Sequence, residues 1–144
     1  MCAIAGAFFF DEVKNKNFTK KIIKKMCDEM YRRGPDHTGY WFDEKDNIGL
    51  GHNRLAIIDL TKEANQPIIS ICDRYVIVFN GEIYNYKKLR EELITLGEIF
   101  KTNSDTEVLL KLYILYDKKM LLKLRGMFAF AIWDKKEKSC FLAR

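Results

Sequence analysis

The sequence predicts an α+β fold in which antiparallel β-sheets are stacked face to face and helices pack on their outer faces. Three observations lead there. Tyr75-Val76-Ile77-Val78-Phe79 and Met127-Phe128-Ala129-Phe130-Ala131-Ile132-Trp133 are unbroken apolar runs with no residue spared for a solvent face. The segments with helical spacing are apolar on one side only. Helices and strands also come in blocks, without the strict alternation of a parallel sheet. The 144 residues, 48% hydrophobic and 13% aromatic, suit one ordinary domain with a sizeable core.

In chain order, Ala3-Ile4-Ala5-Gly6-Ala7-Phe8-Phe9-Phe10 reads as a buried strand that anchors the chain end. Thr19 is placed to cap a helix whose apolar face is Ile22, Ile23, Met26 and Met30, and Gly34-Pro35 ends that segment. Tyr40 to Phe42 is a short strand, Asp46-Asn47 a turn, and Ile48 to Asp59 an irregular strand. Residues 60–74 read as a loop. The strong strand from Tyr75 runs into Asn80-Gly81-Glu82. Asn85 then caps a helix with Tyr86, Leu89, Leu93 and Leu96 on one face, closed by Gly97. Ser104-Asp105-Thr106-Glu107 is a capping box ahead of Val108, Leu109, Leu112 and Leu115. A short helical piece over Met120 to Leu124 precedes the second apolar strand, and Cys140 to Ala143 returns as its hairpin partner.

The net charge of +5 gathers in Lys14, Lys16, Lys20, Lys21, Lys24 and Lys25 and in Lys135, Lys136 and Lys138. These lysines flank amphipathic structure without arginine or interleaved aromatics, so they read as a solvated face and not as a nucleic-acid site. The first apolar run is too short for a bilayer, which takes about 20 residues. No cleavable leader precedes it, so no membrane partner is expected. Cys2, Cys27, Cys72 and Cys140 form no C-x-x-C pair, and a reduced, cytoplasmic chain without disulfides or a metal site is the expectation.

Cys2 follows the initiator methionine. Removal of Met1 would leave a free α-amine on the nucleophile's own residue, and an amine of pKa about 7.7–8.0 can exchange protons with the thiol at neutral pH. Three more polar stations stand where apolar elements end: Arg54, Asn80-Gly81-Glu82 and Asp105. Singly they read as a surface cation, a turn and a helix-dipole partner. Together they form a pocket for an amino acid that carries a side-chain amide. A guanidinium grips an α-carboxylate, Glu82 and Asp105 hold an α-ammonium, and Asn80 with the Gly81 N–H faces an oxyanion. Glycine lets that N–H approach substrate with no Cβ between.

Six strings in order carry a resemblance: Cys2-Ala3-Ile4-Ala5-Gly6, Arg33-Gly34-Pro35-Asp36, His52 to Asp59, Phe79 to Tyr86, Ser104 to Glu107 and Gly126 to Asp134. Along its whole length the chain resembles the N-terminal glutaminase domain of glutamine-dependent asparagine synthetases, a class II glutamine amidotransferase domain. Amidotransferases that make glucosamine phosphate or phosphoribosylamine share the cysteine, an arginine and Asn-Gly. They do not usually carry Arg-Leu-Ala-Ile-Ile-Asp or Gly-Glu-Ile-Tyr-Asn-Tyr, so the synthetase branch is favoured.

The resemblance implies the N-terminal-nucleophile hydrolase fold, an αββα sandwich. It implies Cys2 as nucleophile, Asn80 and Gly81 as oxyanion hole, and glutamine bound by Arg54, the backbone of Leu55, Ile57 and Ile58, and Glu82 and Asp105. Arg33-Gly34-Pro35-Asp36 takes a structural role, and His52 a packing or hydrogen-bonding one. No Ser-Gly-Gly-x-Asp-Ser pyrophosphate loop is present, so ATP and Mg²⁺ are expected only in a synthetase domain outside these residues. In the family, the strand ending Leu142-Ala143-Arg144 continues into further strands. The chain therefore reads as the glutaminase domain without its C-terminal part, either a fragment of a longer synthetase or a shortened relative. Its expected partners are glutamine and an ammonia-accepting synthetase domain or subunit, and a homo-oligomer is compatible with it. The alternatives are a non-catalytic relative that binds glutamine or a partner subunit, and a glutaminase serving another carboxylate acceptor.

Overall fold

The computed structural model describes residues 2–9, 17–43, 45 and 47–144. Its elements run β1 (Ala3–Phe8), α1 (Phe18–Glu29), β2 (His37–Asp43), β3 (Ile48–Arg54), β4 (Ile68–Ile69), β5 (Tyr75–Ile83), α2 (Tyr86–Thr95), α3 (Asp105–Tyr116), β6 (Gly126–Asp134) and β7 (Ser139–Ala143). The strands form two antiparallel sheets, one in the order β1-β3-β2 and the other β4-β5-β6-β7.

Period-two alternation on β5 and β6 builds the layers. Val76, Val78, Ala131 and Trp133 face the smaller sheet and meet Ile48 and Leu50 of β3. Ile77, Phe79, Phe130 and Ile132 face the other way, onto Leu89 and Leu93 of α2 and Leu109 and Leu112 of α3. On the far side of the smaller sheet, Ile23 and Cys27 of α1 pack on Ala5. The order is helix, sheet, sheet, helices, as the apolar runs predict. Among the described residues, no helix is long and apolar enough to cross a membrane.

Several local expectations are corrected. β1 ends at Phe8, which is 36% exposed, and is an edge strand, because among the described residues only β3 pairs with it; Phe10 lies outside the described residues. The α1 core stripe is Thr19, Ile23 and Cys27, while Met26 is 41% exposed. The cause lies in β3. A Cβ on Gly49 would sit 2.8 Å from Ile23 Cγ1, and one on Gly51 would sit 2.5 Å from Cys27 Sγ. The helix therefore lies close against two glycines, and only a narrow stripe touches them. Burial pushes the Cys27 thiol up to about 11, which leaves it an inert packing group. Thr19 lies inside α1, and the N-cap is Asn17. Lys14, Lys16 and Asp46 fall outside the described residues.

β2 extends from His37 to Asp43, longer than the expected Tyr40 to Phe42, because all of it pairs with β3. β3 ends at Arg54, not Asp59, and a loop follows. Asn85 sits at the N-cap of α2, yet its side chain ties down a distant turn, donating to the Lys123 carbonyl and accepting from the Arg125 N–H. At α3, Ser104 accepts the Glu107 N–H as a capping box requires. The Glu107 carboxylate does not return to the Ser104 N–H; it accepts from the N–H groups of Lys101 and Thr102 and from the Thr102 hydroxyl.

Candidate active site

β3 changes character along one face. Ile48 and Leu50 point into the core between the sheets, and His52 and Arg54 follow at the same spacing. β1 lies beside it with Ala3 opposite Asn53, so Cys2 falls next to the end of β3. There the Cys2 sulfur receives the Leu55 N–H at 3.3 Å and its thiol reaches the Leu55 carbonyl at 3.6 Å.

The Arg33–Asp36 turn ties both partners down. Arg33 Nε donates to the Cys2 carbonyl at 3.3 Å. The Asp36 carboxylate accepts the Ala56 N–H at 2.8 Å, and the Asp36 N–H donates to the Arg54 carbonyl at 3.0 Å. A Cβ on Gly34 would lie 2.3 Å from the Asn53 oxygen, so only glycine lets the turn approach β3 this closely.

Arg54 is 6% exposed. Its Nη1 donates to the Thr61 carbonyl at 2.8 Å and to Asn65 Oδ1 at 2.7 Å, and its Nη2 donates to the carbonyls of Ile58 and Asp59. The guanidinium thus orders the backbone of the loop that follows it. Asp59 closes the loop at the other side: Oδ1 accepts from the Thr61 hydroxyl and N–H, and Oδ2 accepts the Asn103 N–H just before α3. These donors, the Thr61 hydroxyl foremost, hold the Asp59 carboxyl below the usual carboxylate range.

β5 pairs with β6 along its whole length, whereas β4 pairs only with Val76 and Ile77. Beyond Ile77 that edge is open, and side chains take over from the missing strand. The Phe79 N–H donates to Gln66 Oε1 at 2.6 Å, and the Phe79 carbonyl accepts from His52 Nε2 at 3.1 Å. The Ile83 N–H donates to Asp105 Oδ2 at 3.1 Å. Backbone groups of alternate residues point to the same side of a strand, so Gly81, between Phe79 and Ile83, aims its N–H out of the same edge. Asn80-Gly81 therefore lies within a strand, which continues to Ile83, and is not a turn. Glycine is needed there for a different reason from the expected one: a Cβ would lie 2.2 Å from the Met127 carbonyl of β6.

Every predicted site residue lines one cavity: Cys2, Arg54, Leu55, Ile57, Ile58, Asn80, Gly81, Glu82 and Asp105. Gln66, Ser104, Thr106 and Met127 line it too, and no spacing or motif singles them out as pocket residues. The cavity is open, with Ile57 72% exposed at its rim. Asp105 is buried, and desolvation, helped by the nearby Glu82 charge, raises its carboxyl above the ordinary range against the pull of the Ile83 N–H. An ammonium seated beside it would restore the charged form. The Asn80 side-chain oxygen is buried without a hydrogen-bond partner. Burial also holds His52 neutral, with its pKa lowered to about 4. Because Nε2 faces a carbonyl, it carries the ring proton. His52 is thus a hydrogen-bonding residue of the β5 edge.

The chain is 44% identical over 144 residues to asparagine synthetase [glutamine-hydrolyzing] 1 of Bacillus subtilis, a match that covers all of this chain and 22% of that protein. It is 38% identical over 160 residues to putative asparagine synthetase [glutamine-hydrolyzing] 2 of Methanocaldococcus jannaschii, covering 100% of this chain and 30% of that one. The chain thus spans about a fifth to a third of the length of these relatives. Among solved structures, the glutamine phosphoribosylpyrophosphate amidotransferase of B. subtilis superposes with a TM-score of 0.54 at 29% identity, over 64% of this chain and 23% of that one. That likeness supports the N-terminal-nucleophile hydrolase fold. The profile of the glutamine amidotransferase domain matches residues 1–144, from the cysteine that touches Leu55 to the hairpin that braces Gly81, and the chain belongs to that family.

Proposed function

We propose that this domain hydrolyses the side-chain amide of glutamine at Cys2 and supplies the ammonia to an ATP-dependent synthetase domain or subunit, with aspartate as the acceptor. The observation that carries the reading is the convergence of Cys2, Arg54, Asn80, Gly81, Glu82 and Asp105 on one cavity from separate parts of the chain. The printed names of the relatives, glutamine-hydrolysing asparagine synthetases, support the choice of acceptor.

In this reading the glutamine α-carboxylate exchanges with a loop carbonyl on Arg54, since a charge-assisted bond outcompetes a neutral one. The α-ammonium is held by Asp105 and Glu82. The Cys2 thiol passes its proton to the freed α-amine, and the sulfur attacks the amide carbon. The carbonyl electron pair moves to oxygen, which accepts from the Gly81 N–H and the Asn80 amide. Collapse breaks the C–N bond, the Cys2 ammonium protonates the departing nitrogen, and ammonia leaves. Water, deprotonated by the same amine, then opens the thioester to glutamate and free thiol. The four free thiols suit a cytoplasmic setting.

The test is glutamate release from glutamine by the purified chain after Met1 removal, verified by intact mass. Release that disappears in Cys2→Ala supports the reading. Release that survives in Cys2→Ala, or in a Met1-retaining form, overturns it.

A further inference from the structure

We infer that Gln66 is a positioning residue that sets the oxyanion donor of Gly81 against the ammonium-binding end of α3, an inference that rests on the amidotransferase reading above. Gln66 is 7% exposed and stands where β4 stops pairing with β5. Both ends of its amide are engaged. Oε1 accepts the Phe79 N–H at 2.6 Å, and Nε2 donates to the Thr106 hydroxyl at 3.1 Å. Phe79 is two residues from Gly81, and Thr106 follows Asp105 directly. One amide therefore spans the two stations that hold opposite ends of the substrate.

The open edge of β5 explains why this matters. An unpaired strand edge can shift, and β6 restrains it from one side only. Gln66 and His52 together occupy both backbone groups of Phe79. This leaves the next group of the same direction, the Gly81 N–H, as the edge donor turned toward the cavity. An oxyanion donor acts only when it already points at where charge will develop, so fixing this edge is felt in the transition state more than in substrate binding.

The experiment compares the chain with Gln66→Met, which removes both hydrogen bonds at similar volume, and Gln66→Glu. The glutamate keeps an acceptor for the Phe79 N–H and lets the Thr106 hydroxyl donate, but it sets a negative charge beside the developing oxyanion. Both variants should lose kcat, by about tenfold or more, with KM for glutamine within about threefold. Amide hydrogen exchange gives a second readout: the Phe79 N–H should lose protection in Gln66→Met and keep it in Gln66→Glu. A kcat within about twofold of the parent in folded Gln66→Met, or a loss confined to KM, would overturn the inference. If the parent shows no Cys2-dependent release, the amidotransferase reading itself has failed. Phe79 protection in Gln66→Met then decides alone whether Gln66 holds the edge. Should Gln66→Met not fold, Gln66→Asn, whose shorter side chain cannot bridge Phe79 and Thr106 at once, carries the kinetic test.

Discussion

The Asp59 carboxylate accepts the Asn103 N–H at 2.6 Å, and this bond joins the loop after Arg54 to the residues that lead into α3. Asp59→Ala should free the loop from α3 and from Thr61 together. KM for glutamine is expected to rise about tenfold with a smaller change in kcat, because in the proposed reading the loop binds substrate and does not face the reacting carbon. Steady-state kinetics with Asp59→Asn beside it checks this: the asparagine retains one acceptor and should fall between the alanine and the parent. The depressed carboxyl also implies that stability from Asp59 is present at neutral pH and fades as pH falls through its folded pKa, below the unfolded value of about 3.9.

Arg54→Lys keeps the charge and loses the fork. One ammonium cannot reach Thr61, Asn65, Ile58 and Asp59 at once, so several buried acceptors lose their donor. The variant should melt earlier by about 1–3 kcal/mol of stability and show a raised KM for glutamine. Wild-type melting with normal kinetics in Arg54→Lys would show that the fork is dispensable.

His52 gives a pH dependence whose sign is set by burial. Its pKa falls from 6.5 in the unfolded chain to about 4 in the fold. Between those values the unfolded state binds the extra proton and the folded state does not, so acidification favours unfolding. The full effect is roughly 3 kcal/mol, reached near the folded pKa. His52→Gln retains an N–H for the Phe79 carbonyl and removes the titration. Urea unfolding at about pH 4.5 and about pH 7 should show a smaller pH-dependent loss in the variant than in the parent. An equal loss in both would assign the acid sensitivity to other groups.

Gly81→Ala should damage the fold and the chemistry together. The new Cβ meets the Met127 carbonyl of β6, which is backbone and cannot turn aside. We expect about 1–3 kcal/mol of destabilisation and a clear fall in kcat, because the strand must move where the oxyanion donor sits. Thermal melting and kcat measured on the same sample check both halves.

The layered fold was legible because β5 and β6 are apolar on both faces, which only a strand buried between two layers can be. The residues that line the cavity were legible as motif strings. Spacing could not show that Asn80 and Gly81 lie within a strand, because that depends on β6, more than 40 residues away. Gln66 escaped notice for a related reason. A polar residue before a proline in a loop reads as a turn, and its two partners, Phe79 and Thr106, are visible only in three dimensions. Thr19 and Asn85 are good capping types by local chemistry. In the fold, packing on β3 buries one, and a turn at Lys123 and Arg125 claims the other.

The pairing of β5 with β6 also dictates when the nucleophile can become dangerous or useful. Cys2 precedes β3 in the chain, and its resting place on Leu55 can form once β3 exists. The strand that carries Asn80 and Gly81 has no neighbouring strand along most of its length until residues 126–134 have been made. An exposed thiol is thus born long before the groups that would let it cut an amide. In the glutaminase reading, Cys2 and its oxyanion donor can work together only after the second sheet has closed.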